Sequence, residues 1–327
     1  MIELSMASLS LAHVDTYFDS LGLNYSEWLR AGCILILIAL AFKLGLAPFH
    51  FWMADVYEGA AILGTIIFAL LPKIALITLL CKFLSTIFMG CGSEYFFVVE
   101  YFGLATALIG VFNTAAQYRM KRLIIFSSLV QLGFSVAALD VHSIESIATF
   151  YFFYIIYIIS SLGLWICYVM IHKSKCFEAD DSNSLDFEIP TFENVRGMAL
   201  TNPAFGLCFS LIFLSMTGLP GAAGFFAKYY MGGSLELSNK DFVTYILMCS
   251  SSIVSGYYYI RFIKLAFFEI KESGYAKQYV YYQSDDVIGY LNALALSLIT
   301  GFLVWAFFEP ELLMILCTNL AANVVVL

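Results

Sequence analysis

Apolar residues run along this chain in blocks of roughly twenty, the length that crosses the hydrocarbon core of a bilayer as a helix. Eight blocks reach that length: Ala31 to Trp52, Ala60 to Phe83, Phe96 to Ala116, Leu123 to Leu139, Ile147 to Ile171, Pro203 to Met231, Phe242 to Ile263 and Val287 to Phe308. Backbone polar groups in lipid must bond within their own segment, so each block is predicted to be helical. The longest polar stretch between blocks, residues 173–202, carries Glu178, Asp180, Asp181, Asp186, Glu188 and Glu193 and reads as a solvated acidic loop. The pattern therefore divides the chain into an extramembrane or interfacial segment 1–30, an eight-helix transmembrane domain 31–308 and a C-terminal segment 309–327. The tail from Leu312 to Leu327 is apolar but short, and is expected at the interface or against a partner rather than as a further crossing. The fold class expected is an all-α integral membrane protein.

Composition agrees with that reading. Hydrophobic residues make up 61% of the 327 positions and charged residues 12%, a balance that would leave a water-soluble domain of this size with very large exposed apolar patches. The net charge of -8 argues against nucleic acid, and the acidic excess sits mostly in one loop. Lipids and other membrane proteins are the expected partners. Cys33, Cys81, Cys91, Cys167, Cys176, Cys208, Cys249 and Cys317 are scattered through apolar runs without C-x-x-C spacing, so no metal site or cofactor is expected in this chain. The opening residues Met1 to Trp28 include Glu3, Asp15, Asp19 and Glu27 and lack a basic start; neither a cleavable signal peptide nor a presequence is expected.

Charge sets the orientation. Alternating the eight blocks places Arg119, Lys121, Arg122, Lys173, Lys175, Arg196, Arg261, Lys264, Lys271 and Lys277 on one face and Arg30, Lys82 and Lys240 on the other. The first, positive face is expected on the matrix or cytoplasmic side, with both chain ends opposite.

Three of the sixteen basic residues fall inside blocks: Lys43, Lys73 and Lys228. A lysine at the centre of a span costs about 2.5 to 3.5 kcal/mol on insertion scales, so each needs water, a carboxylate or a carbonyl. An amine taken out of water is a poorer home for charge and exchanges a proton more readily, which suits a relay. The plain alternative is a lysine paired with a buried carboxylate to fix packing, a reading that weakens when three such lysines occur together.

Each lysine also stands beside a helix breaker: Lys43-Leu-Gly-Leu-Ala-Pro48, Pro72-Lys73, and Pro220-Gly221-Ala-Ala-Gly224-Phe-Phe-Ala-Lys228. Proline frees the carbonyl four residues earlier, here Leu44, Phe68 and Met216. Polar backbone at membrane depth is tolerated where it faces protein or a water-filled cavity. Lys43 precedes its proline and Lys228 follows one, the order expected of opposed half-repeats. Gly218, Gly221 and Gly224 lie in an apolar run with no preceding strand, so they are read as helix breakers and not as a phosphate loop.

The run Phe42-Lys-Leu-Gly-Leu-Ala-Pro-Phe-His-Phe-Trp-Met-Ala-Asp-Val-Tyr-Glu-Gly-Ala60 resembles the signature of the NADH dehydrogenase subunit 2 family, the antiporter-like membrane-arm subunits of respiratory complex I. Leu71-Pro-Lys-Ile-Ala75, Met120-Lys-Arg-Leu-Ile-Ile-Phe-Ser-Ser128, Gly218-Leu-Pro-Gly-Ala-Ala-Gly-Phe-Phe-Ala-Lys-Tyr-Tyr230 and Tyr257-Tyr-Tyr-Ile-Arg-Phe-Ile-Lys264 are similar to later motifs of that family in the same order, so the resemblance covers residues 31–308. It implies two inverted five-helix repeats, two discontinuous helices, and a proton axis through Lys43, Lys73 and Lys228. It also implies a place in the mitochondrial inner membrane, other complex I subunits as partners, and drive from redox chemistry elsewhere in the complex.

The chain departs from the family pattern in two ways. It resembles helices seven to fourteen of a fourteen-helix form, so the glutamate expected to pair with Lys43 is missing and is expected on a separate polypeptide. Gln131, in Ser127-Ser-Leu-Val-Gln-Leu-Gly133, stands where a histidine is expected; a glutamine can hold a water wire but cannot titrate. His50, Asp55 and Glu58 are read as caps and loop anchors, with proton uptake as the other possibility. The cluster Arg119, Lys121 and Arg122 is expected to anchor to lipid headgroups, and Glu100 is read as an interface carboxylate. Two alternatives stay open: a cation/proton antiporter subunit, and a non-pumping scaffold.

Overall fold

The computed structural model describes residues 25–85, 94–139, 143–178, 195–237, 242–269 and 287–326, and every regular element among them is helical. In chain order these are α1 (Tyr25–Leu44), α2 (Phe51–Gly59), α3 (Ile62–Phe83), α4 (Glu94–Ala115), α5 (Met120–Ala138), α6 (Ile144–Glu178), α7 (Met198–Thr201), α8 (Pro203–Thr217), α9 (Ala223–Leu237), α10 (Phe242–Phe268), α11 (Val287–Phe308) and α12 (Pro310–Val326). Five of them contain stretches long and apolar enough to cross a membrane: Ile62–Phe83, Phe96–Ala115, Met120–Ala138, Ile144–His172 and Gly289–Phe308. The continuous α10 and the broken pairs α1/α2 and α8/α9 occupy the other three expected blocks.

The 35-residue α6 is the hub, packed against α3, α5, α8, α9, α11 and α12. Next to it lies α5, buried along its whole length except at Arg122. Lipid supplies no hydrophobic drive between helices, so close association depends on small residues that let backbones approach. The pair α4/α5 shows this: a Cβ added at Gly103 would strike the Ala137 backbone, and one at Gly133 would strike the Ala107 backbone. The polar residues of α5 are thereby carried into the middle of the bundle.

Two breaks interrupt the helical ladder. In the first, after α1, Gly45 takes a φ of 75° and the Ala47-Pro48 peptide is cis. Its backbone groups are still satisfied: the Leu46 amide donates to the Ala41 carbonyl (2.9 Å), and the Ala47 amide donates to Thr106 Oγ1 of α4 (2.8 Å). In the second, after α8, Gly218 (φ 74°) and Gly221 (φ 105°) adopt the left-handed region that only glycine enters without penalty. The Gly218 amide reaches both Leu214 and Ser215 carbonyls at 3.2 Å, closing the end of α8.

The described residues place several boundaries and breaks differently from the sequence pattern. Helix α1 begins at Tyr25, inside the segment 1–30 read as extramembrane or interfacial, and residues 1–24 of that segment lie outside the described residues. Helix α6 continues to Glu178, six residues into the expected loop, most of which (179–194) also lies outside them. The C-terminal tail is a 17-residue helix laid against α6, where Cys317 and Ala321 are fully buried; small side chains there permit close contact. Pro72 does not break its helix. α3 runs through it over 22 residues, and the freed Phe68 carbonyl accepts from the Tyr57 hydroxyl at 3.2 Å, so the lost ladder bond is replaced from α2. Gly224 lies within α9, not in the break; its part is close approach, since an added Cβ would overlap the Ser215 carbonyl.

Candidate functional site

The three lysines do not share one environment. Lys73 is 3% exposed and donates to Ser128 Oγ on α5 at 3.0 Å. Ser128 in turn donates to the Ile125 carbonyl at 2.7 Å, so its oxygen is free to accept from the amine. Lys228 is partly buried and reaches back across the break to the Thr217 carbonyl at 2.9 Å. Its amine also lies 5.6 Å from the centre of the Phe134 ring. A helix C-terminus and an aromatic face both favour a cation. Lys43 occupies the last turn of α1, so it precedes its break as Lys228 follows one, but it is exposed on the outside of the described bundle. Lys43 thus has no covering helix among the described residues, on the side where the sequence expects a partner glutamate from another helix; the pattern of apolar residues does not show which side of α1 a residue occupies.

Between Lys73 and Lys228 runs a line of polar groups from α5, α6 and α8. Gln131, 3% exposed, donates through Nε2 to the Met216 carbonyl at 3.0 Å, the acceptor expected to be freed by Pro220. Ser160 on α6 and Ser215 on α8 are 3.1 Å apart. The Tyr157 hydroxyl lies beside Ser128 yet makes no well-aligned bond among the described residues. Two small cavities of about 10 Å³ flank this line. One touches Gln131, Tyr157, Ser215 and Lys228; the other touches Ser127, Ser128, Tyr157 and Met216. A larger cavity of about 270 Å³ opens from Lys228 along Gly232 and Gly233 to Tyr245 and Ser252. Such an arrangement of donors, acceptors and water-sized spaces can pass protons.

Ser128, Tyr157, Ser160 and Ser215 were not singled out from the sequence. A signal was there: Ser127, Ser128 and Gln131, and likewise Tyr157, Ser160 and Ser161, stand three and four residues apart and so share one helix face.

On the expected positive face, the cluster of basic residues is committed to protein. Arg119 meets Glu58 at 2.6 Å and Arg122 meets Asp55 at 3.0 Å. Lys121, almost fully buried, donates to the Glu58 and Ala60 carbonyls at 3.1 and 2.7 Å, the end of α2, where a cation suits the helix dipole. The headgroup-anchor reading is thus replaced by a clamp between α5 and α2. His50 precedes α2 but makes no side-chain capping bond; its ring lies against Phe51 at 4.3 Å. Glu100 is buried and accepts from Thr244 of α10 at 2.5 Å. Exposed ion pairs contribute about 0 to 1 kcal/mol each, whereas leaving a buried carbonyl unsatisfied costs about 1 to 3 kcal/mol, and Lys121 satisfies two part-buried ones. Lys121→Met is therefore expected to lower the melting temperature of the detergent-solubilised protein more than Glu58→Gln does.

The geometry can be set beside proteins of known kind. The chain matches the family described as NADH:quinone oxidoreductase/Mrp antiporter, TM over residues 2–254. It is 28% identical over 263 residues to the NADH-quinone oxidoreductase subunit N of Pelagibacter ubique, covering 80% of this chain and 53% of that protein. It is 34% identical over 244 residues to the subunit N of a Wolbachia species, covering 73% and 48%. The chain thus spans about half the length of these curated relatives. In fold it is similar to a chain of respiratory complex I from Thermus thermophilus (TM-score 0.64, 23% identity, 86% of this chain and 57% of that one). It is also similar to a chain of the Mrp complex from a Dietzia species (TM-score 0.74, 19% identity, 90% and 59%).

Proposed function

From the premise that this chain belongs to the NADH:quinone oxidoreductase/Mrp antiporter transmembrane family, we propose that it is a proton-translocating membrane-arm subunit of an NADH:quinone oxidoreductase. The observation that carries this reading is the line from Lys73 through Ser128, past two water-sized cavities, to Lys228 on the Thr217 carbonyl. The subunit N relatives favour the respiratory complex over a free-standing antiporter.

Moving one charge against 100 mV takes about 2.3 kcal/mol, and none of this chain's groups supplies it. The drive comes from redox chemistry in other subunits. We place Lys43 at the outer end of the same relay: an exposed amine at membrane depth needs a compensating group, and a helix bearing a carboxylate, from outside residues 25–326, would supply it. Our finer reading is that this helix belongs to a separate polypeptide. The membrane we propose is the mitochondrial inner membrane, a placement supported by the 31 Phe and 21 Tyr that an AT-rich organellar genome tends to encode.

Purification of the native complex followed by mass spectrometry tests the assembly. Other NADH:quinone oxidoreductase subunits are expected to accompany the chain, together with the polypeptide that covers Lys43. Lys73→Met is expected to leave that assembly in place and lower the number of protons moved per NADH oxidised in sealed vesicles. Sodium- or potassium-dependent transport without NADH would instead identify an antiporter.

A further inference from the structure

The middle of the line raises a question of its own, because Gln131 cannot take up a proton and its amide is already engaged by the Met216 carbonyl. That bond ties the end of α8 to α5, which makes Gln131 a positioning residue. Tyr157 is placed differently. It is 4% exposed, it projects from the central helix α6, its hydroxyl has no well-aligned partner among the described residues, and it lines both small cavities. One of those cavities contains Ser128, the partner of Lys73; the other contains Lys228. Each, at about 10 Å³, is at the lower limit for a single water molecule, and each has the polar partners such a water requires.

We infer that the Tyr157 hydroxyl is the relay group between Lys73 and Lys228, joining two single-water cavities that have no other shared hydroxyl. The inference rests on the proton-translocating reading above. In the transfer, the Lys73 ammonium gives a proton to Ser128 Oγ as Ser128 swings its own hydrogen from the Ile125 carbonyl toward the first water. That water passes a proton to the Tyr157 oxygen while Tyr157 releases its own to the second water, and the second water protonates a neutral Lys228. Each hydroxyl and each water ends with the hydrogens it began with, so no tyrosinate forms. The net change is one proton moved from one amine to the other.

The test compares protons moved per NADH oxidised in vesicles containing the whole complex with Tyr157→Phe, Tyr157→His, Tyr154→Phe or Lys228→Met. Tyr157→Phe keeps the ring and removes the relay, so its ratio is expected to fall to that of Lys228→Met, with assembly unchanged on a native gel. Tyr157→His restores a group able to pass a proton and should recover pumping, which a packing role alone would not explain. Tyr154, also buried with an unaligned hydroxyl, borders neither small cavity, and its Phe variant should pump normally. A normal ratio in Tyr157→Phe beside a low one in Lys228→Met overturns the Tyr157 route alone; normal ratios in both overturn the parent reading as well. Should Tyr157→Phe fail to assemble, Ser128→Ala takes its place, with a lowered ratio supporting the route and a normal one overturning it.

Discussion

Lys228→Met is expected to abolish most proton pumping while the complex still assembles and still oxidises NADH. Methionine fills nearly the same volume as the lysine stem, so the packing of α9 against Phe134 survives. What is lost is the only basic group among the described residues of α9, together with its bond to the Thr217 carbonyl. Lys228 also stands where the line from Lys73 meets the large cavity beside Gly232 and Gly233, so a proton arriving from Lys73 would have no acceptor before that space. Arginine at this position keeps the charge but does not release its proton in proteins, so Lys228→Arg is expected to fail as badly as methionine. The measurement is the ratio of protons moved to NADH oxidised, with the amount of assembled complex determined in parallel.

The second large effect is structural. Gly224→Val is expected to prevent accumulation of the assembled protein, because even a single Cβ at this position would overlap the Ser215 carbonyl. That atom belongs to the backbone at the end of α8 and cannot rotate away. Overpacking a tight core costs about 1 to 3 kcal/mol and sometimes more, and here the shift would also pull Lys228 from Thr217 and Ser215 from Ser160. Gly233→Ala is the control: an added Cβ there meets nothing within 4 Å, so its level on a native gel should match the unaltered protein.

The two positions also show where sequence reasoning reached and where it stopped. The breaks at Lys43-Leu-Gly-Leu-Ala-Pro48 and at Gly218-Leu-Pro-Gly221 were legible because glycine and proline change the backbone itself, and a lysine in an apolar run must find company. Gly224 was misassigned for the opposite reason. Its backbone is helical, and its importance lies in a neighbour 9 residues away in the chain that no local pattern names. Pro72 looked like a break because a proline frees a carbonyl, but Tyr57 recovers that carbonyl from another helix.

For the site, the position of each lysine within an apolar block was legible, whereas direction around the helix axis was not. Lys73 turns inward to Ser128 and Lys43 lies outside the bundle, although both sit among similarly apolar neighbours. The clamp of Arg119, Lys121 and Arg122 on α2 was hidden likewise, since basic residues at the end of a span fit a headgroup and a facing helix equally well. Tyr157 escaped notice because a tyrosine in an aromatic-rich span resembles its neighbours Tyr151 and Tyr154 until the cavities beside it are located.

Series transfer between the two interior amines makes a demand that single variants do not. If Lys73 and Lys228 are successive stations on one path, removing the second adds nothing once the first is gone; if they serve separate paths, the losses add. The measurement is the proton-to-NADH ratio of sealed vesicles carrying Lys73→Met, Lys228→Met or both. One common lowered ratio for all three is expected. A double variant that pumps less than either single one, or three variants that pump like the unaltered complex, would contradict a single path through the interior of this chain.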